Sequence, residues 1–323
     1  MNRLGILTSG GDAPGMNAAI RAAVRTATGF GMSMVGYRDG FGGFIDRRFD
    51  LLDDRSVGNI IQHGGTVLGT SRCPEFLDAA VRARAVEQMR EDGVEALITI
   101  GGDGTFRGAR ALELEHGVPV VGVPGTIDND VFGTDETIGF DTAVTTAVWA
   151  IDQLRDTSES TGMIFFVEVM GRKSGAIAIN TALAAGAAGV LVPEADEDPR
   201  EMAERIRLSI ARGKKAHIIV VSEGEDEGGA FAMGQRIGAM LEHDYRVVVL
   251  GHIQRGGDPT VRDRIIAAQS GARAVDALAQ GRSGMMIGMQ RGEVVEVPLS
   301  VVVEHGHAEP DLDLLFLAQR LSG

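Results

Sequence analysis

Short apolar, β-branched runs alternate with segments of helical period from one end of the chain to the other. The strand-like runs are Leu4–Thr8, Met34–Tyr37, Ala96–Ile100, Val118–Val123, Ile164–Val169, Val190–Val192, His217–Ser222 and Val247–Leu250. Several are continuously apolar, the pattern of parallel strands covered on both faces. Helical spacing falls at 16–29, 79–92, 142–155, 199–211, 229–242 and 261–279. In Ala79–Glu91, for example, Val81, Ala85, Val86 and Met89 share one face and charges take the other. Alternation of this kind predicts an α/β fold with a mostly parallel sheet. The pattern changes at Met285–Met289, Arg291-Gly292 and Val294–Val297, which read as a β-hairpin. No repeat, low-complexity stretch or linker stands out, so two domains would have to be interleaved or closely packed.

Composition narrows the class. The 323 residues suffice for one large or two ordinary domains, and 44% hydrophobic with 24% charged residues is ordinary for a globular protein. No run approaches the length of a membrane-spanning helix. The first strand begins almost at Met1, where a secretory signal would need a basic start, an apolar core and a cleavage site. The single cysteine, Cys73, leaves no internal disulfide, and these features together point to the cytoplasm. The net charge of −14 argues against nucleic acid as a partner. It leaves small phosphorylated ligands open, since a few arginines can bind them whatever the overall balance.

Five loops, each following a predicted strand, carry the candidate chemistry, and the carboxyl ends of strands are where open α/β sheets bind ligands. Thr8-Ser9-Gly10-Gly11-Asp12-Ala13-Pro14-Gly15 is either a plain strand-to-helix turn or a phosphate cradle, in which glycines let backbone N–H groups approach an anion. It is neither a Walker A loop nor a dinucleotide fingerprint. Gly101-Gly102-Asp103-Gly104-Thr105 offers one carboxylate inside a glycine turn, suited to a phosphate-bound Mg²⁺ or simply to capping a helix. Pro124-Gly125-Thr126-Ile127-Asp128-Asn129-Asp130 sets two carboxylates two residues apart, so that in an extended segment both point the same way. Such a pair can divide the labour of base and metal helper, the alternative being an Asx-turn cluster. Glu168-Val169-Met170-Gly171-Arg172 ends a strand in an arginine able to meet charge on a transferred phosphoryl group. Gly251-His252-Ile253-Gln254-Arg255-Gly256-Gly257 offers a phosphate-monoester grip, the alternative for each of these last two loops being a surface salt-bridge element. Together they point to phosphoryl transfer between two anionic ligands.

In order and approximate spacing these five segments closely resemble the bacterial ATP-dependent phosphofructokinase family, over nearly the whole chain. Thr126–Asp130 and Met170–Arg172 are the specific parts; Gly101–Thr105 alone is shared with NAD and diacylglycerol kinases. The resemblance implies two interleaved Rossmann-like, three-layer α/β/α domains with mostly parallel sheets. A Mg·ATP domain would span 1–138 plus 257–304, and a fructose-6-phosphate domain 139–256 plus 305–323. It implies Asp128 as the base for the sugar 1-hydroxyl, with Thr126, Arg172 and Gly11 completing the catalytic set. Gly11, Arg72, Cys73, Asp103, Gly104, Thr105 and Gly108 would contact the nucleotide, and Asp103 and Asp130 the Mg²⁺. Thr126, Asp128, Asp130, Met170, Gly171, Arg172 and Glu223 would contact the sugar, with Arg246, His252 and Arg255 on its 6-phosphate. Arg21, Arg25, Arg155 and Lys214 match the family's allosteric anion site, and a homotetramer, with no membrane or nucleic-acid partner, is implied.

Six positions depart from the family pattern. Met163 stands where a second 6-phosphate arginine is usual, and Phe41, Cys73 and Leu77 differ around the adenine. Ala188 replaces a metal-binding Glu of the effector site, and Asp54 an Arg, with Arg55 one place along. The rival readings are a pyrophosphate-dependent phosphofructokinase, a non-catalytic sugar-phosphate sensor and a lipid or dinucleotide kinase. Glycine at 104 and 125, where pyrophosphate users tend to carry Asp and Lys, favours ATP. Intact Asp103, Asp128 and Arg172 disfavour a sensor, and Thr126–Asp130 with His252–Arg255 disfavours the third.

Overall fold

The computed structural model describes residues 1–195, 197–224, 228–241 and 243–322. The chain forms two units. One comprises Met1–Thr126, Asp130–Asp141 and Arg255–Ala308, the other Ile127–Asn129, Thr142–Gln254 and Glu309–Gly323. The expectation placed boundaries at 138/139, 256/257 and 304/305; the units divide at 141/142, 254/255 and 308/309, and Ile127–Asn129 groups with the second unit.

In the first unit a seven-stranded sheet has the order β11-β10-β5-β4-β1-β2-β3. Its strands are β1 (Arg3–Thr8), β2 (Ser33–Tyr37), β3 (Phe49–Leu52), β4 (Ala96–Gly101), β5 (Val120–Pro124), β10 (Met285–Gln290) and β11 (Glu293–Pro298). The core of the sheet is parallel. The edges β3 and β11 run antiparallel, β11 as the second arm of the expected hairpin. Strands β1, β4 and β5 are buried almost throughout, as their unbroken apolar runs require. Helices α1 (Met16–Gly29) and α9 (Val261–Ala279) pack on one another. Helices α3 (Ala79–Glu91), α4 (Asp103–His116) and α10 (Leu299–His305) make a second group with the short α2 (Phe41–Ile45). The order reverses between β1 and β4, the switch point at which doubly wound sheets take ligands.

The second unit has a parallel four-stranded sheet, β7-β8-β6-β9. Its strands are β6 (Ile164–Val169), β7 (Gly189–Leu191), β8 (His217–Ser222) and β9 (Tyr245–Val249). Helices α7 (Pro199–Ala211) and α8 (Gly229–Leu241) pack together, as do α6 (Ala176–Ala185) and α11 (Leu312–Leu321); α5 (Phe140–Thr161) leads into β6. The last residue of the expected 229–242 helix lies outside the described residues. No helix among the described residues is long and apolar enough to cross a membrane.

Several elements go beyond what the sequence pattern predicts. Helix α4 starts inside the glycine motif, which reads as loop, yet buries Thr105, Phe106, Ala109 and Leu112. Helix α6 is apolar nearly all round and buried on most sides, so no amphipathic stripe announces it. Helix α5 outruns the expected 142–155: its last turns are polar and carry no apolar stripe, and Ser160 and Thr161 satisfy their hydroxyls on the carbonyls of Asp156 and Thr157. Strand β3 and helices α2, α10 and α11 likewise go beyond that pattern.

Candidate active site

The helices fall into two kinds by how they begin. Four carry side-chain caps: Asp78 accepts from Ala80 N, Asp198 from Arg200 N, Thr260 from Asp263 N and Asp311 from Asp313 N. By contrast α1, α4 and α6 start on Gly15, Gly102 and Gly175 with no side-chain cap. These three follow the loops after β1, β4 and β6; Met16 N donates to Ala13 O, Thr105 N to Gly102 O and Ala176 N to Ser174 Oγ, and the other first-turn N–H groups can meet an anion.

In the first unit the loops after β1 and β4 are tied to each other. Ser9 N donates to Ile100 O at 2.9 Å and Thr105 Oγ1 to Ser9 O at 3.0 Å. Thr105 is therefore a buried brace. Gly101 is obligatory, since a Cβ there would stand 2.3 Å from Thr105 Oγ1. Gly104 is the opposite case: a Cβ would meet nothing within 4 Å. A Cβ on Gly102 would stand 3.7 Å from Thr126 Cβ, and Thr137 Oγ1 donates to Thr126 O at 2.6 Å. Asp103 is half-buried in the first turn of α4 and pairs with Arg107 at 2.8 Å. Asp130 meets His307, with Nδ1 and Oδ2 3.3 Å apart. Arg255 lays its guanidinium over Gly11, 3.6–3.8 Å from where a Cβ would be. Arg72 is exposed at the start of the loop that carries Cys73.

The expected adenine region is packed in an unexpected way. Phe41 is buried and stacks on Phe76 at 4.0 Å, and Gly108 lies against its ring. Cys73 packs on the same core cluster, while Leu77 is 84% exposed. Of these, Leu77 offers the open apolar surface.

In the second unit the loops after β6, β8 and β9 are laced together. Met170 N donates to Gln254 Oε1 at 2.8 Å, Arg172 N to Glu223 Oε1 at 2.8 Å, and Glu223 N to Val169 O at 2.9 Å. Gln254 is fully buried and also donates to Ala143 O. Gly171 (φ 146) and Arg172 (φ 54) take conformations that a non-glycine residue adopts only at a cost, about 1–2 kcal/mol for Arg172. Gly224 has no room for a side chain, since a Cβ would lie 1.8 Å from Arg172 O. This bracing aims Arg172 at Asp128, with Nε 3.5 Å from Oδ2. Asp128 is only 4% exposed, and its neighbour Asn129 is also left-handed, at φ 49.

The expected 6-phosphate group is distributed. Arg246 pairs in register with Phe165 near the start of β9, whereas His252 follows the end of that strand in the 3₁₀ turn Gly251–Arg255. Arg255 belongs to the first unit. Met163 precedes β6 and Met170 follows it, so the two stand at opposite ends of a six-residue strand, roughly 20 Å apart. Met163 thus shares the Arg246 end, beside an open groove of about 450 Å³ lined by Phe231, His243, Asp244, Tyr245, Arg246 and Val247.

Among the expected effector residues, Arg21 and Arg25 lie one turn apart on α1. Arg155 donates to Ala185 O, and Lys214 Nζ donates to Ser322 O at 3.1 Å. Burial, and then the charge of Arg155, push the Lys214 ammonium below its usual range. Ala188 is buried and hydrogen-bonded into the β8 edge, and Asp54 and Arg55 are exposed.

Two supports escaped the sequence. Gln254 lay inside a quoted motif but reads as polar filler between His252 and Arg255. Glu194 accepts from Gly175 N at 2.8 Å and so holds the loop beyond Arg172.

With this geometry in place, similarity to known proteins can be weighed. The family described as "Phosphofructokinase" matches residues 3–278. The "ATP-dependent 6-phosphofructokinase 1" of Thermus thermophilus is 55% identical over 304 residues, covering 94% of each chain. The "ATP-dependent 6-phosphofructokinase" of Bacillus cytotoxicus is 48% identical over 322 residues and 100% of both. Among solved structures, phosphofructokinase from Saccharomyces cerevisiae superimposes with a TM-score of 0.88 at 30% identity. That match covers 94% of this chain but only 45% of the longer yeast chain.

Proposed function

The chain belongs to the phosphofructokinase family, and from that premise we propose that it transfers the terminal phosphoryl group of ATP to the 1-hydroxyl of fructose 6-phosphate, forming fructose 1,6-bisphosphate. The observation that carries this reading is a buried carboxylate, Asp128, held 3.5 Å from a guanidinium in a strained loop. A base and a cation so placed serve the two ends of one event. As the sugar oxygen bonds to phosphorus, the bond from phosphorus to the bridging oxygen breaks and ADP leaves; the hydroxyl proton passes to Asp128, while Arg172 and Thr126 steady charge on the phosphoryl oxygens. The uncapped starts of α1 and α4 would hold the donor phosphates.

Among the described residues no group of three or more His, Cys, Asp or Glu is arranged to hold a metal. That suits an ion carried by the nucleotide, because Mg²⁺ on phosphates needs only one or two protein carboxylates and keeps its waters. Asp103, half-buried at a glycine turn, and Asp130 would hold it. When bound, the ion neutralises charge on the transferring group. The open space at Gly104 favours a nucleotide over pyrophosphate, since nothing there occupies the room a longer donor needs. At Gly125 a side chain would press on Ile100 and Met16, 2.9 and 3.2 Å from its Cβ, so a lysine could not be seated there without repacking.

The sugar phosphate poses a requirement that one copy does not meet. Arg246 and His252 stand at different ends of β9, so we assign Arg246 to the 6-phosphate of a neighbouring copy, within a homotetramer. Arg155 and Lys214, two cations in mutual repulsion, make an anionic effector favourable beside them, and Arg21 and Arg25 on α1 are assigned to the same kind of ligand. The single Cys73 is in keeping with a cytoplasmic enzyme.

The test is a coupled assay with fructose 6-phosphate and either ATP or pyrophosphate as donor. Turnover with ATP well above that with pyrophosphate is expected. Faster turnover with pyrophosphate overturns the donor assignment, and binding of both ligands without turnover overturns the enzyme.

A further inference from the structure

Residues 53–73 join β3 to the 3₁₀ turn Pro74–Leu77 with no helix or strand of their own. A loop of that length inside a compact unit is usually functional. Here polar side chains fasten its second half to the first strand and helix of the unit. Asn17, buried in α1, donates through Nδ2 to His63 O and Gly64 O at 3.0 and 3.1 Å and accepts from Val67 N at 2.7 Å. Thr8 Oγ1 donates to Gly69 O at 2.8 Å, and Ser71 Oγ to Asp39 O at 2.8 Å. Between these two anchors stands Thr70, whose hydroxyl donates to Gly10 O at 2.9 Å.

That carbonyl belongs to the peptide that also carries Gly11 N–H. In a trans peptide the two groups lie in one plane and point in opposite directions, so a hydroxyl that holds Gly10 O also fixes where Gly11 N–H is aimed. The preceding peptide is held in the same way, since Thr105 Oγ1 donates to Ser9 O at 3.0 Å. Two threonines from distant segments thus set two successive peptide planes in the first glycine loop. Gly10 has φ 93, and neither Gly10 nor Gly11 has a Cβ to resist rotation of the peptide between them. Gly11 N–H has no hydrogen-bond partner among the described residues. We propose that Thr70 is a positioning residue for the donor: by latching Gly10 O it keeps Gly11 N–H turned toward a phosphate of the bound nucleotide. The role rests on the kinase reading above, in which Gly11 contacts that nucleotide. Without the latch the peptide can turn over and present a carbonyl oxygen to the phosphate, which replaces attraction by repulsion.

Thr70→Val keeps the shape of the side chain and removes the hydroxyl, whereas Thr70→Ser keeps the hydroxyl. Calorimetric titration with a magnesium-loaded, non-hydrolysable ATP analogue gives a readout without turnover, and steady-state kinetics a second. For Thr70→Val the affinity for the analogue should fall about 3–10-fold, the range that loss of one hydrogen bond allows. The KM for ATP should rise by a similar factor, with the KM for fructose 6-phosphate and the Tm of the free protein nearly unchanged. Thr70→Ser should recover most of the loss. Arg72 stands two residues along, so Thr70→Val is also made in an Arg72→Ala background. If Thr70 acts through Gly11 the two losses add; if it only carries Arg72, Thr70→Val costs nothing further there. Wild-type affinity in Thr70→Val, equal losses in both Thr70 variants, or no further loss in the Arg72→Ala background overturns the proposal. A wild type that binds the analogue but turns over nothing sinks the kinase reading instead, and the titration still judges Thr70.

Discussion

The two units build their candidate ligand loops by opposite means. In the first, the loops are made of what has been left out: Gly104 faces open space, and α1 and α4 begin without side-chain caps. In the second, the loops are made of what has been packed in. Arg172 is left-handed, its carbonyl crowds Gly224, its N–H is held by Glu223, and Met170 N is held by the buried Gln254. Backbone N–H groups suit a donor whose many phosphate oxygens can be met by any amide that reaches them. A proton transfer and a phosphoryl contact need two particular atoms in particular places, and that is worth strain.

If this division is right, the largest single loss follows removal of the atom that the braced unit holds. Asp128→Asn should lower kcat by ~10²–10⁴-fold, with little change in the KM for fructose 6-phosphate; near-normal kcat would mean that the base lies elsewhere.

A matched pair of glycine changes comes next. Gly224→Ala forces a methyl into the Arg172 carbonyl, so it should cost about 1–3 kcal/mol of stability and lower kcat by misplacing Arg172. Gly104→Ala adds the same methyl to open space in a helical first turn. It should leave the stability level or raise it, by at most about 1 kcal/mol, while Gly104→Asp at the same place should raise the KM for ATP. Thermal melts and steady-state kinetics on the three variants decide, and equal melting losses at 224 and 104 would erase the contrast.

The smallest effect is a pH slope in the second unit. His217 is buried at the start of β8, its Nε2 3.0 Å from Lys214 O, and burial lowers its pKa below the ordinary 6.5. The unfolded chain therefore takes the proton first as pH falls. Stability from this group is complete above about 6.5 and drains away as acidification approaches the lower folded value. Glu197, whose pKa is raised by burial, acts in the opposite direction. The difference between wild type and His217→Gln isolates the histidine: the variant should lose less melting temperature between pH 7 and 5. Parallel slopes would show that His217 does not titrate with unfolding.

How much of this was legible in the sequence follows the same division. The open loops advertise themselves, because glycines after apolar runs need no partner to be recognised, and Gly10–Gly15 and Gly101–Thr105 were found on that pattern. Asp128 and Arg172 were legible as chemistry and as resemblance. Their supports were not: Gln254 acts on a residue 84 positions away, and nothing in its neighbourhood marks it as buried. Thr70 was silent for the same reason, its partner Gly10 lying 60 positions earlier. The scatter of Arg246, His252 and Arg255 escaped as well, since sequence order says that residues are close in the chain and not which end of a strand they occupy. Helix α6 was missed because a fully covered helix has no polar stripe.

The chain passes between its two units five times, at 126/127, 129/130, 141/142, 254/255 and 308/309. This has a consequence for synthesis on the ribosome. Helix α1 buries Ala19, Ala23, Val24 and Ala27, and its packing partner α9 is made about 250 residues later. At ~5–20 residues per second that delay is roughly 10–50 s, during which the apolar face of α1 has no native cover from α9. Strand β10, which pairs with β5, arrives later still. Neither unit is a continuous stretch that could be completed, released or excised alone. The nascent chain is therefore a natural client for factors that shield apolar surface, and its two halves enter the cell's folding machinery as a single commitment.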